Sequence, residues 1–277
     1  MIKIAQMNTL TIEKVEQGQL FLESDGNDTL SVPQSTWLAN KNKGDSLEVF
    51  IYRDADNLLQ ASLDKPIAVA GQFALLRTVD VTGAGAFMDW GLKKDLFVPL
   101  REQHIPFKTG QSYVVYIYVD KVNERAVASS KLHKFLRETT DTLQLNQTVS
   151  LLIYAESDLG YKAIIDNLYS GLLYKNEIFT PVHYGQTLTG YVKTLRDDGK
   201  IDLSLQLPGH TTRDSLANNI ISYLKSHEGS CSITDKSTPE LIYKEFNVSK
   251  SNYKKALGKL YKDRRINIDK HQITLVD

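Results

Sequence analysis

The sequence predicts a multidomain chain, with three small all-β barrels in tandem followed by an α+β module. Three features lead there. A two-strand pattern recurs three times at nearly constant spacing, each recurrence sits in a unit sized for five strands, and the last 69 residues change to helical periodicity.

The recurring pattern is KGDSLEVFIYRDADNLLQASL (residues 43–63), TGQSYVVYIYVDKVNERAVASS (109–130) and YGQTLTGYVKTLRDDGKIDLSL (184–205). Each opens on a Gly-Asp or Gly-Gln turn, at Gly44, Gly110 and Gly185. Each continues with alternating apolar residues, the period of a strand with one buried face. A polar turn follows, then a second short strand ending near Ser62, Ser129 or Ser204, so that glycine and serine lie 18, 19 and 19 residues apart. Upstream, residues 71–91 and 149–166 read as strand, turn, strand, and the stretch GQLFLESDGNDTLSVP (18–33) is the matching half of the first repeat, with DGND as its turn. Five strands in each unit fit a small Greek-key barrel of the OB type, whose closure removes most exposed edges.

Beyond residue 208 the pattern changes. Ala217, Ile220, Ile221 and Leu224 fall at i, i+3, i+4 and i+7 of an amphipathic helix over 213–224. Thr238 before Pro239 is an N-cap ahead of a proline at the first helical position, opening a second helix through about Phe246. Ser249 caps a third, about 250–263, and Ile266, Ile268, Ile273 and Leu275 alternate around Asp269 as a hairpin. Helix, helix, turn, helix and hairpin is the order of a winged helix-turn-helix. The expected domains are 1–64, 65–137 and 138–208 for the barrels and 209–277 for the winged helix.

Composition narrows the class. Lys+Arg and Asp+Glu both number 33, but their distribution is uneven. The four segments carry balances of −5, +5, −4 and +4 in chain order, and a basic block is what a phosphate backbone attracts. A single cysteine, Cys231, excludes a disulfide framework and suits a reducing compartment. The start lacks the basic flank and apolar stretch of a signal peptide, and no run approaches the ~20 apolar residues of a membrane helix. The expectation is a soluble cytoplasmic protein with no membrane partner. Gly83-Ala-Gly85-Ala lacks the third glycine and the helix of a dinucleotide fingerprint. There is no phosphate loop, no nucleophile elbow, no zinc-protease motif and no ligand-spaced His/Cys set. No catalytic residue, metal or cofactor is expected.

The stretch GAGAFMDWGLKKDLFVPLREQ (83–103) gathers Phe87, Trp90, Lys93 and Lys94 beside a tight turn. Single-stranded RNA offers flat bases to stack on and phosphates to neutralise, so rings and cations together suit it. Phe87 and Trp90 are three apart and face opposite sides of a regular strand, so one can be core while the other is exposed. In the third C-terminal helix Tyr253, Ala256, Leu257 and Leu260 form an apolar stripe. Lys255, Lys259 and Lys262 lie opposite it, Lys254 flanks them, and Arg264 and Arg265 enter the hairpin. Residues 250–265 hold seven cations and one acid. A helix-turn-helix unit sets this helix against nucleic acid.

The repeated unit resembles the OB-fold RNA-binding domain repeated in the largest protein of the small ribosomal subunit, the S-one type. Gly85-Ala86-Phe87-Met88 matches its Gly-Ala-Phe segment. Gly171-Leu172-Leu173-Tyr174-Lys175-Asn176-Glu177 matches its Gly-Leu-Val-His segment, and Arg125 and Lys200 stand where its arginine precedes Leu-Ser. The resemblance moves Phe87 to the RNA side, adds Arg125, Tyr161, Tyr174 and Lys200 as RNA-binding residues, and puts Val98 and Val32 where the family carries a stacking histidine. The first repeat, acidic and without a Gly-Ala-Phe string, is expected to be a packing partner or spacer. Over its whole length the chain is similar to the conserved virulence factor B family, also called the YitL family, through Phe87 to Leu92, Lys94 to Pro99 and Glu102-Gln103. That similarity implies a non-enzymatic, cytoplasmic RNA-binding protein in post-transcriptional regulation, with single-stranded RNA as partner and the ribosome or RNA-processing machinery as further candidates. The competing readings are a DNA-binding transcriptional regulator and a ribosome or ribonuclease accessory module.

Overall fold

The computed structural model describes all residues except 1, 25–28, 36–37, 55, 138–141, 179, 207–212, 247 and 277, and the backbone alone for 213–215. It separates into two compact units, 1–136 and 137–277.

The first unit holds two barrels. In the first, β1 (Gln6–Glu16), β2 (Gln19–Leu22), β3 (Leu30–Pro33), β4 (Ser46–Arg53) and β5 (Leu59–Ser62) form a sheet in the order β3-β2-β1-β4-β5. β3 and β5 come side by side, with no ladder between them among the described residues. In the second, β6 (Phe73–Val81), β7 (Gly85–Asp89), β8 (Leu96–Pro99), β9 (Ser112–Val119) and β10 (Ala126–Ser129) close fully, β10 joining β8 in parallel. The second unit opens with a closed third barrel of β11 (Thr148–Glu156), β12 (Gly160–Ile165), β13 (Tyr169–Tyr174), β14 (Thr187–Leu195) and β15 (Ile201–Ser204). The interior is the alternate apolar set of each strand, such as Leu151, Ile153, Ala163, Ile165, Leu173, Val192 and Leu203 in the third barrel. Each buried Leu, Ile or Val side chain contributes roughly 1.5–3 kcal/mol.

The recurring glycine and serine have specific jobs. The first strand of every barrel carries a bulge, between Ile12 and Lys14, Thr78 and Asp80, and Ile153 and Ala155. The residue just before it accepts from the repeat glycine: Gly44 to Ile12, Gly110 to Thr78 and Gly185 to Ile153, each at 2.8 Å. These glycines have φ of +94°, +82° and +78°, a region that costs other residues a steric penalty. The closing serines accept, through Oγ, from the N–H two residues on, of Asp64, Lys131 and Gln206, each at 3.1 Å.

One expectation needs correction. Residues 18–33 are the second and third strands of the first barrel, so the partner of β6 and β11 is β1, which the repeat alignment passed over. β1 shows little alternation, because only Ile12 in it is fully buried while the rest of the strand is half-buried or exposed. The DGND turn itself lies outside the described residues.

The C-terminal module consists of α1 (Arg213–Ser226), β16 (Ser230–Cys231), α2 (Pro239–Phe246), α3 (Lys250–Lys262), β17 (Ile266–Ile268) and β18 (Ile273–Leu275). β16 was not foreseen; it pairs with β18 to give a three-stranded wing in the order β16-β18-β17. Ser249 caps α3 by accepting from Asn252 N–H at 3.2 Å, and Thr238 Oγ1 accepts from Leu241 N–H at 3.4 Å. Tyr253 is buried among α1, α2 and α3 residues and donates its hydroxyl to the Ile233 carbonyl at 2.8 Å.

Candidate nucleic-acid interface

Register fixes which residues share the outward row of each barrel. In the second barrel Phe87 on β7 pairs with Phe97 on β8, which pairs with Val127 on β10. The two rings lie 5.1 Å apart at 40°, both half-buried. Gly85 permits this: a Cβ there would stand 2.3 Å from the Val98 carbonyl oxygen and 2.8 Å from the Phe97 ring. Lys93 and Lys94 are exposed in the β7–β8 loop, and half-buried Arg125 precedes β10. All five border one groove of about 640 Å³. Asp95 in the same groove has its carboxyl pushed above the ordinary range, by burial first and then by Asp89 and Asp80.

Trp90 lies outside the outward row, although it also lines the groove. It is 3% exposed, meets Phe50 of the first barrel edge-on at 5.4 Å, and donates Nε1–H to the Lys94 carbonyl at 2.6 Å. The three-residue offset from Phe87 turns it inward, and the first barrel covers it.

In the third barrel the same row reads Lys162, Leu172 and Asp202. Tyr161 is therefore corrected: it pairs with the interior Leu173 and packs against the barrel core, because register gives the outward place to Lys162. Gly160 holds the close-approach place of Gly85, since a Cβ there would lie 1.9 Å from the Leu173 carbonyl oxygen. Tyr174 pairs with Gly160 as Pro99 pairs with Gly85, so its counterpart is Pro99 and not Val98, which is fully buried. By the same register Val32 is interior, and Pro33 holds the corresponding place in the first barrel. The Tyr174 hydroxyl donates to Asp202 at 3.3 Å and accepts from Arg196. Arg196 in turn grips Asp202 through two bonds of 2.9 and 3.0 Å. Asp202, by hydrogen bond and charge, raises the Arg196 guanidinium further above its ordinary value. Lys200 is exposed and paired with Asp198 at 2.6 Å. A cavity of about 760 Å³ lies over this row, with Lys162, Leu172 and a Tyr154–Ser170 hydroxyl pair at 2.8 Å in its lining.

On α3, Tyr253, Ala256, Leu257 and Leu260 are buried while Lys254, Lys255, Lys259 and Lys262 are exposed. Lys254 Nζ lies 4.0 Å from Asp235, and Arg264 and Arg265 are exposed at the hairpin entry. Sequence reasoning missed Phe97, Lys162 and the exposed Tyr261 of α3. Phe97 stood in the quoted family string, but only pairing shows that it is the neighbour of Phe87. Among the described residues no His, Cys, Asp or Glu group is placed to hold a metal, and no helix is long and apolar enough to cross a membrane.

Comparison with known proteins agrees with this domain content. The S1 domain family model matches residues 4–64, the repeat lacking the Gly-Ala-Phe string, and the CvfB-like winged helix domain model matches residues 218–275. The chain is 30% identical over 274 residues to YitL of Bacillus subtilis, covering 94% of this chain and 90% of that one. It is 23% identical over 239 residues to conserved virulence factor B of Staphylococcus epidermidis, covering 84% and 80%. It is also similar to a solved Streptococcus pneumoniae multidomain protein described as having nucleic acid binding domains, at 25% identity, 99% and 98% coverage and a TM-score of 0.41. S1 domains and winged helices are nucleic-acid-binding modules, and neither matched family is an enzyme family. With its three OB-like barrels, its winged helix and a full-length relative at 30% identity, the chain belongs to the YitL and conserved virulence factor B family.

Proposed function

We propose that this protein is a non-enzymatic, cytoplasmic binder of single-stranded RNA that acts in post-transcriptional regulation of gene expression. RNA lies on the second-barrel groove and against the lysine face of α3, with modules bounded near residues 64, 137 and 208. The carrying observation is the half-buried Phe87–Phe97 ring pair, which lines one groove with Lys93, Lys94 and Arg125. A base stacked on such a ring gains about 1–3 kcal/mol, and nearby cations replace condensed counterions. Tyr174 and Lys200 belong to a secondary contact, since both already have partners within the third barrel. Regulation is the reading we draw from the resemblance to the family whose members are named conserved virulence factor B.

The test is titration of a labelled mixed-sequence oligoribonucleotide. Phe87→Ala is expected to weaken binding about tenfold with little loss of fold. Lys255→Glu with Lys259→Glu is expected to weaken it as well and to flatten its salt dependence by about one unit of slope per lost phosphate contact. Preference for duplex DNA over the RNA strand would favour transcriptional control through the winged helix. Binding of neither at near-physiological salt would leave docking on the ribosome or a ribonuclease.

A further inference from the structure

We propose that the RNA groove of the second barrel is composite, with Tyr52, Arg53 and Asp54 at the end of β4 in the first barrel forming one of its walls. This rests on the RNA-binding reading above and assigns the first barrel a part in it.

The groove over Phe87 and Phe97 is lined by Lys93, Lys94 and Arg125 together with those three first-barrel residues. At about 640 Å³ it is within the ~300–1,000 Å³ range of small-ligand sites. Tyr52 supplies a half-buried ring whose plane is 23° from that of Phe50, at 6.0 Å. Arg53 brings the cations of the lining to four, against the two acids Asp54 and Asp95. A strand with its base on the phenylalanines thus meets a second aromatic edge and, in Arg53, a guanidinium already held by Glu124, neither of which the second barrel owns.

The wall is held at a fixed distance from the floor. Phe50, two residues before Tyr52 on β4, packs on Trp90, and Ile67 N–H donates to the Trp90 carbonyl at 2.7 Å. Arg53 Nε binds Glu124 at 2.9 Å, while its Nη1 donates to the Asn57 carbonyl at 2.9 Å. Glu124 immediately precedes Arg125, so Arg53 also positions the loop that carries that cation.

Two contrasts single out this arrangement. Among the described residues, the equivalent cavity of the third barrel is lined by that barrel's own residues and Arg137 just before it, with none from another barrel. The first barrel's own outward row is self-occupied: Phe21, at the place of Phe87, has Lys14 Nζ 4.5 Å above its ring, and Lys14 is paired with Glu16. The first barrel therefore offers its edge, and not its own face, to the ligand.

The experiment uses the full chain and a single-stranded, thiouridine-bearing oligoribonucleotide of mixed sequence. Photo-crosslinks are expected on the segment around Tyr52 as well as on β7 and β8. Tyr52→Ala is expected to weaken binding about fivefold to tenfold, the loss of one stacking contact. Arg53→Glu should weaken it too, and adding Glu124→Arg should restore most of the affinity, which loss of general packing would not. Crosslinks confined to the second barrel, or a folded Tyr52→Ala protein with wild-type affinity, overturn the proposal. Should Tyr52→Ala fail to fold, the crosslink map and the charge swap decide. If Phe87→Ala weakens binding while every first-barrel change is silent, only the composite wall is lost. If the wild-type chain takes up no RNA, the RNA-binding reading itself falls.

Discussion

Glu102 pins the end of the second barrel. Its carboxylate accepts from Ser129 Oγ at 2.7 Å and from Lys134 at 3.0 Å, while its carbonyl accepts from Ser130 N–H at 3.0 Å. Burial alone would raise the Glu102 carboxyl; the Ser129 and Lys134 hydrogen bonds and the charges of Lys134 and Lys131 outweigh it, and the net direction is down. A carboxylate depressed by folding adds stability above its ordinary value of 4.5 and loses it as pH falls through the folded value. Glu102→Gln should therefore cost about 1 kcal/mol at neutral pH, with the wild-type and variant unfolding midpoints converging in acid. A constant difference at all pH values would contradict this. The residue scale also shows what sequence can and cannot resolve. The opposite facing of Phe87 and Trp90 was legible from their spacing. That Trp90 is the buried one was not, because its cover is Phe50, far away in sequence and on another barrel.

At the scale of elements, two glycines make opposite predictions. Gly110 sits at φ +82° and donates to the carbonyl before the β6 bulge, so Gly110→Ala should cost more than about 1 kcal/mol. Gly258 lies mid-helix in α3 with open space where a Cβ would go, so Gly258→Ala should stabilise by roughly 0.5–1 kcal/mol. Denaturant unfolding of both variants checks the pair. The three Gly-to-Ser hairpins were legible because turn chemistry is local, and so were α2 and α3, announced by Thr238, Pro239 and Ser249. β1 was not, since few of its side chains reach the core, and β16 is only two residues long. The one-residue misreading that set Val98 against Tyr174 had a related cause. A family string aligns letters, whereas the pairing of Gly85 with Pro99 and of Gly160 with Tyr174 aligns the strands.

At the scale of the whole molecule, the first barrel keeps a core of its own but reaches into that of the second. Ala5 and Phe50 belong to the same buried cluster as Leu76, Met88, Trp90 and Val115. Phe50→Ala should cost about 3–5 kcal/mol and loosen both barrels together. Hydrogen exchange should then show amides of β4, β6 and β9 losing protection in step, and loosening restricted to the first barrel would refute the coupling. Several weak nucleic-acid contacts on one chain also raise one another's effective concentration, so changes in single modules should attenuate binding and not abolish it.

The Phe50–Trp90 contact also bears on how the protein is made. The N-terminal strands leave the ribosome first, and Phe50, with only its strand neighbour Tyr52 beside it, waits for Trp90, which follows β7. For that interval the nascent chain presents a greasy spot to solvent, the kind of surface that invites a chaperone or premature aggregation. A pause in translation between β5 and β7 would prolong that exposure, whereas one after β10 would not.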